Sequence, residues 1–138
     1  MATKYQREQR TGTLLVLSGC AREAGRDISQ AEISADLDTL HRAETTLSRV
    51  NENECDGWPK MVRETRDGRK YEYAVTDDAW QARDQRTEAR AQAQVREICE
   101  KYGIPVRFDG DPRGGAVRLV LPDGRSNGWD NETWGIYW

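Results

Sequence analysis

The hydrophobic period of this chain changes three times, and those changes constrain the fold more than any other feature. Ile33, Leu37, Leu40, Leu47 and Val50 recur at helical spacing, which leaves Asp36, Asp38, Arg42 and Arg49 for water. From residue 61 to 75 the spacing shortens, and Met61-Val62-Arg63-Glu64-Thr65 and Lys70-Tyr71-Glu72-Tyr73-Ala74-Val75 flank Arg66-Asp67-Gly68-Arg69. An Asp-Gly pair between two such runs specifies a β-hairpin, because the favoured two-residue turns need positive φ. Helical spacing then resumes at Val95, Ile98, Cys99 and Tyr102. A chain that switches from helix to hairpin to helix belongs to the α+β class.

Local signals set the boundaries. Ser29-Gln30-Ala31-Glu32 has capping-box spacing and opens a helix that runs from residue 29 to about 51, ended by Asp56-Gly57-Trp58-Pro59. Thr76-Asp77-Asp78 caps a second, longer helix reaching Tyr102, where Gly103 supplies a left-handed stop and Pro105 prevents resumption. Upstream, Leu14-Leu15-Val16-Leu17 fits either a buried strand or a turn of helix; the reading adopted is a short helix within residues 11–25 that ends at Gly25. In the last third, Val106 and Phe108 alternate with Arg107 and Asp109, and Val117, Leu119 and Leu121 alternate with Arg118 and Val120. Trp134, Ile136 and Trp138 alternate with Gly135 and Tyr137. The expected fold is α+β, with two main helices, a central β-hairpin and a C-terminal three-stranded antiparallel sheet covered by the long second helix. Its 138 residues suit one domain spanning 1–138.

Composition bounds the function classes. With 36% hydrophobic and 33% charged residues, apolar side chains must be concentrated on a few faces, so the core is thin. The net charge of −3 comes from 24 acidic and 21 basic side chains that are well mixed, which argues against a polybasic nucleic-acid binder and against an acidic decoy of duplex DNA. The apolar run at 14–17 is far too short for a leader or a membrane span, so a cytoplasmic protein with no membrane partner is expected. The three cysteines, Cys20, Cys55 and Cys99, are odd in number and widely spaced, which suits reduced thiols.

No recognisable catalytic set emerges. His41, the only histidine, lies beside no serine or cysteine at catalytic spacing. Asp109, Asp111, Asp123, Asp130 and Glu132 could hold a hard cation, but aspartates in turns cap their own backbone and arginines stand nearby to neutralise them. Gly110 to Gly115 is glycine-rich, lacks a P-loop lysine and precedes a strand. The expectation is therefore a non-enzyme with no metal and no cofactor. Arg107, Arg113, Arg118 and Arg125 interleave with Trp129 and Trp134, a pattern that suits a protein-binding hot spot or a stacking site for single-stranded nucleic acid or a nucleotide, although core packing competes for Trp134. The first half of the long helix has Trp80 as its single large hydrophobe and displays Arg83, Arg86 and Arg90. Such a helix packs on a second copy as a homodimer, packs on the 29–51 helix, or presents its arginines to a partner. The expected partner-binding set is Arg113, Arg125 and Trp129 with Arg107, Arg118, Arg83, Arg86 and Arg90.

Two segments resemble small proteins encoded by bacteriophages and prophages. One is Leu40-His41-Arg42 followed by Leu47, Asn53, Glu54, Cys55 and Gly57; the other is Tyr102-Gly103 leading into Gly110-Asp111-Pro112-Arg113-Gly114 and the strand from Val117 to Leu121. The 61–75 hairpin departs from that pattern. The resemblance implies a phage accessory protein and assigns no activity to any residue. On that footing the expected function is a non-catalytic protein that binds a host protein or nucleoprotein complex, most concretely an anti-CRISPR-like inhibitor of a bacterial defence system. The alternative is a nucleic-acid or nucleotide-binding accessory protein of phage DNA metabolism.

Overall fold

The computed structural model describes residues 2–54, 61–108, 117–127 and 136, with the side chains at 51–54 and 77 left out. Three helices form its body. α1 (Lys4–Glu23) starts earlier than its apolar run suggests, because Thr3 and Gln6 make a complete capping box: Gln6 N donates to Thr3 Oγ1 at 3.1 Å and Thr3 N to Gln6 Oε1 at 2.9 Å. The expected short helix is thus a twenty-residue one, and the fold has three main helices where two were expected. Within it, Leu17 is fully buried while Leu15 faces water, since a helix turns about 100° per residue and cannot bury four consecutive side chains.

α2 (Gln30–Glu54) begins where expected, with Glu32 N donating to Ser29 Oγ at 3.2 Å. Only half of its box forms, because the Glu32 carboxylate turns away to Lys101 at 2.9 Å. β1 (Met61–Arg66) and β2 (Arg69–Ala74) pair antiparallel around Asp67 and Gly68, whose φ angles of 51° and 74° are those a tight hairpin demands. α3 (Asp77–Tyr102) is capped by Thr76 and ends at Gly103, with φ 66°, as its sequence indicates.

The expected apolar stripes meet. Ile33, Leu37, Leu40, Leu47 and Val50 of α2 are buried, as are Val95, Ile98, Cys99 and Tyr102 of α3, together with Leu17, Cys20 and Ala21 of α1. Each large aliphatic side chain so buried contributes about 1.5–3 kcal/mol. Polar anchors then fix the register. Asp36 Oδ2 accepts from Tyr102 Oη at 2.5 Å and from Lys101 Nζ at 2.8 Å, which joins the start of α2 to the end of α3. At the opposite end Trp80 and Asp84 line a recess with Arg49 and Val50, so the two helices run antiparallel. Arg10 of α1 donates to Asp38 Oδ1 at 2.8 Å and to Ser34 Oγ at 3.0 Å. Asp36 and Asp38, which the period assigned to water, are therefore the hinges of helix packing. The first half of α3 lays its inner face on α2, one of the placements expected for it.

The C-terminal unit is smaller than expected. β3 (Val106–Arg107) and β4 (Arg118–Leu119) pair antiparallel, Val106 opposite Leu119, and a single bridge joins Val120 to Ser126. This differs from the expected three-stranded sheet. Asn127 takes the place of a neighbouring strand: its Oδ1 accepts from Leu119 N at 2.9 Å and its Nδ2 donates to Val117 O at 2.6 Å. Ile136 N reaches Ser126 O at 3.3 Å, while the rest of the proposed 134–138 strand, the Gly110–Gly114 turn and the Asp56-Gly57-Trp58-Pro59 stop lie outside the described residues. Val117, Leu119 and Leu121 enter the same core as all three helices, so α1 as well as α3 covers this unit.

Burial raises the Cys99 thiol from 9.0 to about 12. Burial, then the Asp36 hydrogen bond, pushes Tyr102 above its ordinary 10.0, and the hydrogen bond from Lys101 to Asp36 raises the Lys101 ammonium above 10.5. All three groups hold protons in the folded state that the unfolded chain releases. Stability is thus fully present below pH 9, begins to fall as pH passes the unfolded values from 9.0 to 10.5, and goes on falling as it rises through the folded ones. Thermal melts across that range should show the decline, with a shallower slope above pH 10 in Tyr102→Phe, whose side chain cannot ionise.

Candidate functional site

Two arginines on α2 and two on α3 meet along one side of the helix pair. Arg42 and Arg49 are two turns apart, as are Arg83 and Arg90, so each pair repeats on one helix face at about 10 Å. The antiparallel packing brings Arg42 level with Arg90, where they line a shallow groove of ≈ 570 Å³ with Thr46, Thr87, Gln94 and Glu97. Past Thr46 and Thr87 the groove continues into a recess of ≈ 170 Å³ bounded by Arg49, Trp80, Arg83 and Asp84. The buried Ala43 and Ala91 make its floor shallow, since small side chains leave the long arginines standing above it.

The electrostatics are one-sided. All four arginines are exposed, and none forms an ion pair among the described residues. Arg42 donates to Thr39 Oγ1 at 3.2 Å, and the Arg83 guanidinium lies 5.2 Å over the Trp80 ring, an arrangement that fixes its direction without neutralising it. Four guanidinium groups thus face two carboxylates, Asp84 and Glu97, across the groove. Guanidinium forks in that spacing suit carboxylate or phosphate oxygens on a partner.

The other candidate residues separate. Arg86 is exposed on α3 and lines neither recess. Arg107 is exposed on β3, directly opposite the half-buried Arg118 of β4. Arg113 and Trp129 lie outside the described residues. Arg125 is an internal clamp. Its side chain is 17% exposed, its Nε pairs with Asp123 Oδ2 at 2.7 Å, and its Nη1 donates to Gln9 O at 3.2 Å and Thr13 Oγ1 at 3.3 Å. It passes so close to α1 that a Cβ at Gly12 would stand 2.9 Å from Nη1. The loop carrying it is shaped by Pro122 and by Gly124, at φ 88°, with Gly124 N donating to Leu121 O at 2.9 Å.

The remaining chemistry is muted among the described residues. His41 is exposed, Cys20 and Cys99 are buried thiols held protonated by burial, and no group of three His, Cys, Asp or Glu side chains is placed to share a metal ion. Cys55 and the carboxylates at 109, 111, 130 and 132 lie outside the described residues. No helix among the described residues is long and apolar enough to cross a membrane. No protein-family model, curated protein or solved structure matches the chain.

Sequence reasoning named Arg83 and Arg90 but assigned Arg42 and Arg49 to solvent. The signal was the same two-turn spacing on both helices, which becomes a site only once their antiparallel register is known. Arg125→Ala should lower unfolding free energy by about 2 kcal/mol, because it removes the charge-assisted hydrogen bonds that tie the 122–126 loop to Gln9 and Thr13 of α1. Arg90→Ala should stay within about 0.5 kcal/mol of the parent in the same urea titration.

Proposed function

We propose that this chain is a non-catalytic binding protein that uses the α2–α3 arginine groove to engage an acidic surface of a host protein complex. In the phage setting its sequence resemblance implies, that complex belongs to a bacterial defence system, and occluding it makes the protein an anti-CRISPR-like inhibitor in the host cytoplasm. The observation that carries the reading is the convergence of Arg42, Arg49, Arg83 and Arg90, none of which has an ion-pair partner among the described residues. Such groups are inexpensive to display and become strong anchors once a partner excludes water from them.

A second reading, binding of single-stranded nucleic acid or a nucleotide, has one observation in its favour. Guanidinium groups repeat along both walls of the groove beside Trp80, a layout that can track a phosphate backbone. The whole-chain charge of −3 works against it, because a polyanion is repelled at long range.

The test combines two arms. Phage plating on a host with active CRISPR interference should rise when this protein is expressed, and Arg83→Glu with Arg90→Glu should abolish that rise while the melting temperature stays nearly unchanged. Recovery of the host complex from lysate should survive nuclease. Recovery lost on nuclease treatment, with binding that falls steeply as salt rises, would establish the second reading instead.

A further inference from the structure

The β1–β2 hairpin carries a surface that the arginine groove leaves unused. Its two strands form a sheet by themselves and touch no other described element, so both outer edges are open among the described residues. A lone two-stranded hairpin is marginally stable in water, yet this one displays Met61, Tyr71 and Tyr73, each at least 40% exposed. The register puts Val62, Tyr71 and Tyr73 on one face. In a two-residue hairpin the closing pair, Arg66 and Arg69, is hydrogen-bonded, so by alternation the N–H and C=O groups of Lys70, Glu72 and Ala74 point away from β1. We propose that β2 pairs antiparallel with β2 of a second copy of this chain, giving a four-stranded sheet across a two-fold axis at Tyr71.

Symmetry and charge select that pairing. Residues opposite each other in antiparallel strands share a face, so a two-fold pairing must place one residue opposite its own copy. On β1, centring on Arg63 or Glu64 opposes like charges, and centring on Val62 or Thr65 leaves only residues 61–63 or 64–66 in register. On β2, centring on Lys70 or Glu72 again opposes like charges, and centring on Tyr73 leaves only residues 72–74 in register. Centring on Tyr71 sets Lys70 opposite the copy's Glu72 and Arg69 opposite the copy's Tyr73, each twice, with the two Tyr71 rings in contact. Lys70 and Glu72 are also the residues whose backbone groups face outward, so the complementary pairs are the hydrogen-bonded ones. Glu72 is half exposed even with Arg63 at 3.5 Å, which leaves one carboxylate edge for a second cation. So small an interface is weak and concentration-dependent.

Sedimentation equilibrium of the full chain, from about 10 μM to about 1 mM, reads the dimer directly. Lys70→Glu alone and Glu72→Lys alone each oppose like charges twice and should weaken dimerisation at least about tenfold. Mixing the two variants restores every Lys–Glu pair, so the mixture should form a heterodimer that neither forms alone, with circular dichroism confirming that both are folded. A parent chain that stays monomeric throughout overturns the proposal. A dimer indifferent to Lys70→Glu, or singles whose loss the mixture fails to restore, overturns it as well.

Discussion

The antiparallel seam between α2 and α3 is the interaction on which the rest of the structure depends. Apolar residues are scarce, and they are spent on one stripe per helix, so packing alone specifies that the helices meet but only loosely how far each slides. Asp36 removes that freedom by accepting from Lys101 and Tyr102 together at one end. The Tyr102 ring belongs to the core while its hydroxyl answers a carboxylate, so one side chain serves both the apolar and the polar constraint. Because that end is pinned, Trp80 and Arg83 come level with Arg49 at the other. The groove is thus a product of the lock, although the two lie at opposite ends of the helices.

Arginine does two kinds of work here, and burial separates them. Arg10 and Arg125, at 23% and 17% side-chain exposure, spend their donors on oxygens of the same chain and hold α1 to α2 and to the C-terminal loop. Arg42, Arg49, Arg83 and Arg90 stand exposed, with their donors uncommitted to any carboxylate among the described residues. An arginine of the first kind cannot be displayed to a partner without loosening the fold. This is why a loop rich in arginine, read from sequence as a hot spot, contains in Arg125 a structural clamp.

The fold was legible wherever a feature is local. The Asp67-Gly68 turn, the Ser29 and Thr76 caps, the Gly103 stop and both apolar stripes follow from spacing within a few residues, and all are present. What escaped either carries no apolar signal or depends on residues far apart in the chain. The start of α1 rests on a polar capping box that precedes its apolar run, and the strand-like role of Asn127 rests on an amide side chain imitating backbone. Asp36 and Asp38 looked like solvent-facing positions because their partners, Lys101, Tyr102 and Arg10, lie 28 to 66 residues away. Half of the arginine groove was readable on α3, while its α2 half needed the register that the Asp36 lock sets.

The division between buried and displayed charge also explains how such a surface can persist in a thin-cored protein. An exposed guanidinium stays hydrated, so leaving it unpaired costs the folded state little, and its like-charge neighbours two helical turns away are largely screened at physiological salt. The groove therefore places almost no demand on the core beneath it. Its floor of small residues follows the same logic, since Ala43 and Ala91 let the backbones approach without adding side chains that would neutralise or cover the arginines. Fold and binding then rest on different residues of the same two helices: the inward stripe and Asp36 hold the seam, and the outward arginines can vary in number and position without disturbing it.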